Sequence, residues 1–157
     1  MFDKILVPLD GSRFSSQALR YATDVAQRFS ADVTLIQVIL PKTLVPSTLD
    51  TEPVVESPAA IEIAMQTALM EEKKKITGAK RYLSGKVRGM KSKGIKASYK
   101  VVVGDPARTI MSFSKKEHID LIVMTTHGKT GLRRAIMGSV ADAVIRESGK
   151  PVLVIRP

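Results

Sequence analysis

The stretch Asp120-Leu-Ile-Val-Met-Thr-Thr-His-Gly-Lys-Thr-Gly-Leu-Arg-Arg-Ala-Ile-Met-Gly-Ser-Val140 is an apolar run that passes into a glycine-punctuated loop and then into a helix. Such a strand delivers its loop to the end of a sheet. The helix after Gly138 starts with backbone N–H groups that have no partner within the helix, and these suit an anion. Gly128 and Gly138 bracket nine residues, and glycine at both points lets the main chain approach a ligand closely. A phosphate is the best fit; the plainer alternative is a turn and a Gly-Ser helix start with no ligand. Gly128-Lys129-Thr130 imitates the tail of a P-loop, but that motif needs a glycine where this chain has Val123, inside the strand.

Outward from this stretch, the rest of the chain repeats one unit. Lys4-Ile-Leu-Val-Pro-Leu-Asp10 reads as a strand ending in a carboxylate, followed by Gly11, with Ser12 expected to cap a helix whose apolar positions run from Phe14 to Phe29. Asp32–Leu40 is a second strand with little alternation, as when helices cover both faces. Pro41, Pro46, Pro53 and Pro58 mark a long loop. A long helix is expected from Ala59 to Lys93, bent or frayed at Gly78, Gly85 and Gly89, each costing up to about 1 kcal/mol, with its methionines as core filler. Lys96–Val103 suits an edge strand. Asp105 and Pro106 supply a cap and first position for the next helix. After the quoted strand, a helix runs from about Gly138 to Glu147, Gly149 ends it, and Pro151–Arg156 is the last strand.

Five strands alternating with helices imply a doubly wound parallel α/β sheet, Rossmann-like, of order 3-2-1-4-5 with helices on both faces. The chain of 157 residues is read as one domain. In such sheets ligands bind outside the carboxyl ends of the strands where the order reverses, here between strands one and four. Topology then brings Asp10 beside the loop from Thr125 to Ser139. Asp10 could accept hydrogen bonds from a ribose or hold a divalent ion near phosphates, or it could only cap the helix after Gly11. The last strand is left on an edge with Val152-Leu-Val-Ile155 apolar on both faces, which favours pairing with a second copy through 151–156.

Composition excludes several classes. Without cysteine there are no disulfides, thiol nucleophiles or cysteine-ligated metals, and His118 and His127 are the only imidazoles. The N-terminus reads as a strand rather than a signal peptide, and no apolar run is long enough to span a bilayer, so a cytoplasmic protein is expected. The net charge of +10 is concentrated between Glu71 and Lys100. That segment would attract nucleic acid, an acidic partner or anionic lipid. The plainer reading, favoured because few aromatics lie nearby to stack bases, is a solvated helix face.

The residues also resemble a family. Lys4-Ile-Leu-Val-Pro-Leu-Asp-Gly-Ser12, Val101-Val-Val-Gly-Asp-Pro-Ala-Arg-Thr-Ile110 and the closing Gly138-Ser-Val-Ala-Asp-Ala-Val-Ile-Arg-Glu-Ser-Gly-Lys-Pro-Val-Leu-Val-Ile155 are similar to hallmarks of the universal stress proteins. The ATP-binding branch carries G-x2-G-x9-G-[S/T]. Gly128, Gly138 and Ser139 match it, whereas Thr125 stands at the first glycine, where its branched side chain would narrow the site.

The resemblance implies that Asp10 contacts the nucleoside, the main chain at Val38 the adenine, and Gly128, Gly138, Ser139 and Val140 the phosphates. The candidate nucleotide-binding set is therefore Pro8, Asp10, Val38, Thr125, His127, Gly128, Lys129, Gly138, Ser139 and Val140. The implied ligand is ATP or AMP, with Asp10 the residue for any accompanying Mg, and the implied role is that of a dimeric nucleotide-responsive regulator or stress-protection factor. Two alternatives are slow ATP hydrolysis, with Asp10 placing a divalent ion and His127 a water, and a nucleotide-free protein that binds nucleic acid or acidic partners through the basic 73–100 segment.

Overall fold

The computed structural model describes residues 1–41, 57–126 and 138–156. Strands β1 (Lys4–Pro8), β2 (Asp32–Ile39), β3 (Ala97–Val103), β4 (Leu121–Thr125) and β5 (Val152–Ile155) alternate with helices α1 (Ala18–Phe29), α2 (Pro58–Lys91), α3 (Pro106–Lys116) and α4 (Ser139–Glu147). The sheet has the expected order, β3-β2-β1-β4-β5, and every pairing is parallel. Both faces are covered. Ile5 and Val7 of β1 pack with Ala18, Ala22 and Ala26 of α1 and with Leu83, Val87 and Met90 of α2. Leu6, on the opposite face, packs with Ile110 of α3 and Ala141 and Val144 of α4. Alternate residues of each strand thus enter different apolar layers, which is why the strands do not alternate with polar residues.

Local chemistry sets most element ends. The Asp105 side chain accepts the Arg108 N–H at 2.8 Å with Pro106 at the first helical position, and Gly149 leaves α4 through a positive φ of 62°. Ser12 differs from expectation. Its hydroxyl accepts the N–H of Ser15 at 3.0 Å, the first residue of a single 3-10 turn, Ser15–Gln17, that precedes α1 and has Phe14 at its N-cap. The Ser15 and Ser16 hydroxyls donate back to the carbonyls of Ser12, at 3.2 Å, and Arg13, at 2.8 Å, which delays the regular helix.

Helix α2 begins and ends slightly earlier than the sequence suggests. The Ser57 hydroxyl accepts the Ala60 N–H, and Gly78, Gly85 and Gly89 lie within the continuous helix. The reading of its methionines as core filler is corrected: Met90 is buried, whereas Met65 is 47% and Met70 71% exposed. At 1.5 Å per residue the helix is roughly 51 Å long, against about 26 Å for β2, the longest strand. Its C-terminal half therefore supplies the buried face.

Asp120 fastens the two central strands at their amino ends. Its Oδ2 accepts the N–H groups of Lys4 at 2.9 Å and Asp3 at 3.0 Å, and these two bonds hold its pKa below the ordinary carboxylate value. The folded value is thus lower than the unfolded one of about 3.9. Its stabilisation is complete above the unfolded value and is lost as pH falls through the folded one. Asp120→Asn is expected to flatten the acid side of the stability profile below about pH 4. Urea titrations across that range check this; parallel profiles for the two proteins would refute it.

Candidate nucleotide site

The chain leaves β1 through a turn that its own side chains hold. After the Leu9 N–H bonds the Ile36 carbonyl at 2.8 Å, Asp10 Oδ1 accepts the Ser12 N–H at 2.9 Å, and the Asp10 N–H reaches the Ser15 hydroxyl at 3.3 Å. Gly11 between them has a φ of 84°, a left-handed conformation that a side chain would strain. Asp10 therefore holds a local turn and does not cap a helix as its structural alternative had it, since Phe14 stands at the start of the 3-10 turn that follows and Gln17 at the start of α1. It also lines a cleft.

That cleft, of about 300 Å³, lies between the ends of β1 and β4. Pro8, Asp10, Val38, Thr125, Gly138, Ser139 and Val140 of the candidate set all line it. His127, Gly128 and Lys129, and with them the loop cations Arg133 and Arg134, fall outside the described residues. Ile36, Val38, Ile110 and Met124 give the cleft an apolar wall.

Val38 offers more than its side chain. Groups two residues apart on a strand point the same way, so its N–H and C=O follow the Ile36 carbonyl toward the β1 side, beyond the point where Leu9 makes the last bond.

The far wall is the start of α4. Thr126 donates its N–H to the Ile155 carbonyl at 3.0 Å, and its own carbonyl accepts the Gly138 N–H at 2.8 Å. The Gly138 donor is thereby committed, and the N–H groups of Ser139, Val140 and Ala141 are the first-turn donors without a partner among the described residues. Helices α2 and α3 are capped by Ser57 and Asp105, but α4 has Gly138 at that position and no side-chain cap. Behind the Asp10 turn, burial and then the Asp10 carboxylate raise the pKa of the Tyr82 phenol. The Ser16 hydroxyl offsets part of that rise without completing a hydrogen bond.

Leu40, Pro106 and Ile110 also line the cleft and were not anticipated. Right-handed crossovers put α3 on the α4 face, and the apolar position four residues after Pro106 was the available signal. Among the described residues no helix is long and apolar enough to cross a membrane, and no group of three or more His, Asp or Glu residues is placed to hold a metal.

The universal stress protein family model matches residues 1–156. Universal stress protein MJ0531 of Methanocaldococcus jannaschii is 36% identical over 99% of this chain and 83% of its own length. The solved structure of MJ0577, a hypothetical protein in its description, is 28% identical, superposes with a TM-score of 0.80 and matches 100% of this chain and 97% of its own. A universal stress protein from Archaeoglobus fulgidus, solved in complex with dAMP, shares the fold at a TM-score of 0.63 and 20% identity, over 99% and 98% of the two chains.

Proposed function

This chain belongs to the universal stress protein family, and on that premise we propose that its cleft binds an adenine nucleotide, ATP or AMP. The observation that carries this reading is the convergence, at the sheet's point of reversal, of the Asp10 carboxylate, an apolar wall and an uncapped helix start. The base lies against Ile36, Val38 and Met124 and meets the main chain of Val38. The ribose hydroxyls donate to Asp10, and the phosphates take the N–H groups of Ser139 and Val140. The dAMP held by the A. fulgidus protein supports an adenine nucleotide as the ligand. In this reading the side chain of Thr125, which lines the cleft, narrows the slot.

His127, Gly128 and Lys129 complete the phosphate end in this proposal. Asp10 is the one carboxylate among the described lining residues. A Mg ion brought by the nucleotide would be held by Asp10 and phosphate oxygens, in keeping with the few protein ligands Mg requires. The protein acts in the cytoplasm as a nucleotide-responsive regulator or stress-protection factor.

The test is acid extraction of the purified protein followed by chromatography of the released material. Adenine nucleotide approaching one per chain, or stoichiometric uptake of added ATP or AMP, is the expected result. Failure to recover or bind either would overturn the reading.

The proposal includes a dimer through β5, the edge strand of the sheet. Residues 151 and 155 turn their carbonyls toward β4, so by the same two-residue alternation the main-chain groups of Val152 and Val154 face outward. Val154→Pro removes an outward N–H without breaking a β4 bond. It is expected to yield a folded monomer by light scattering, and a variant that remains dimeric would exclude this edge.

A further inference from the structure

We propose that the outward face of α2 between residues 73 and 91 binds duplex nucleic acid through its phosphates, without reading sequence. This segment carries eight cations and no carboxylate, so the helix forms against its own repulsion. Two rows stand on the outward side. Lys73, Lys80 and Lys91 make one, and Lys74, Arg81 and Arg88, seven residues apart, make the other. All six are exposed, and none is in an ion pair among the described residues.

A strip of glycine runs beside the second row. Gly78, Gly85 and Gly89 are separated by seven and four residues and so share one face. A β-carbon placed on any of them would meet nothing within 4 Å. Glycine weakens a helix, and nothing among the described residues comes close enough to need its absence of side chain. A bare strip next to a row of cations suits the close approach of a polyanion from outside.

The occupant is narrowed by what this face lacks. Protein interfaces rely on aromatic or aliphatic anchors, yet no large apolar side chain is exposed between residues 73 and 91. An inserting membrane surface needs the same anchors, and a second copy would oppose like charges. Single strands are held by stacking on aromatics. The one aromatic here, Tyr82, has its hydroxyl buried and Lys86 Nζ 5.4 Å from its ring centroid. Cation rows spread over roughly 27 Å of helix match the phosphate backbone of a duplex, where affinity comes from displaced counterions.

Fluorescence anisotropy of the full chain with labelled DNA and RNA duplexes, each in two unrelated sequences, tests the proposal. Binding at about 50 mM salt should fall steeply toward 200 mM and be equal for the two sequences; whichever duplex binds identifies the source of the phosphates. Neutralising Lys74, Arg81 and Arg88 together to Gln should lower the log–log salt slope by about three. Gly85→Leu keeps the charge and favours the helix, so it should weaken binding about fivefold or more, set against the loss of one close contact, without lowering Tm. Absence of binding to both duplexes at the lowest salt would overturn the proposal. So would wild-type affinity in Gly85→Leu, or tighter binding to polyglutamate or to phosphatidylserine vesicles than to either duplex.

Discussion

Gly138→Val is expected to weaken ATP binding by about a hundredfold, or roughly 2.7 kcal/mol, while the protein remains folded. Gly138 has φ −61° and ψ 143°, an extended conformation open to branched residues. Its N–H bond to the Thr126 carbonyl survives any change except proline. The backbone at this position therefore accepts valine. The new methyl groups would stand before the Ser139 and Val140 N–H groups, and losing one or two hydrogen bonds to a charged phosphate, at about 1.5–3 kcal/mol each, accounts for the effect. Ser139→Ala removes a hydroxyl but no backbone donor and should change affinity less than about threefold. Calorimetric titration, with circular dichroism to verify folding, measures both. Equal affinities for wild type and Gly138→Val would mean that the phosphates bind elsewhere.

Leu83→Ala is expected to cost about 2–5 kcal/mol of stability, whereas Leu69→Ala, the same substitution on the same helix, should stay within about 0.5 kcal/mol. Leu83 is 0% exposed beneath α2, and Leu69 is 57% exposed. Denaturant unfolding of the two variants reads the difference directly. Similar losses would mean that the N-terminal half of α2 is buried in solution against another surface, and that the half-length docking of the helix does not describe the protein.

The two leucines also mark where local pattern stops being informative. The stripe Ile61, Met65, Leu69, Ile76, Leu83, Val87 and Met90 has one periodicity throughout, because periodicity reports which face a residue occupies and not whether the sheet extends beneath it. The Asp105–Pro106 start of α3 was readable because cap and donor lie three residues apart. The commitment of the Gly138 N–H to Thr126 was not, since it closes a loop between two elements.

Sequence by itself determined the α/β alternation, the strand order and the meeting of Asp10 with the start of α4, since strand spacing, crossover handedness and the need to cover both faces leave few windings. Tertiary structure alone decided that Ser12 bonds into a 3-10 turn ahead of α1, that the buried face of α2 lies mostly in its C-terminal half, that Pro106 and Ile110 line the cleft, and which α4 donors remain for a ligand. Each of these depends on distances between groups remote along the chain, and residue preference carries no term for such distances.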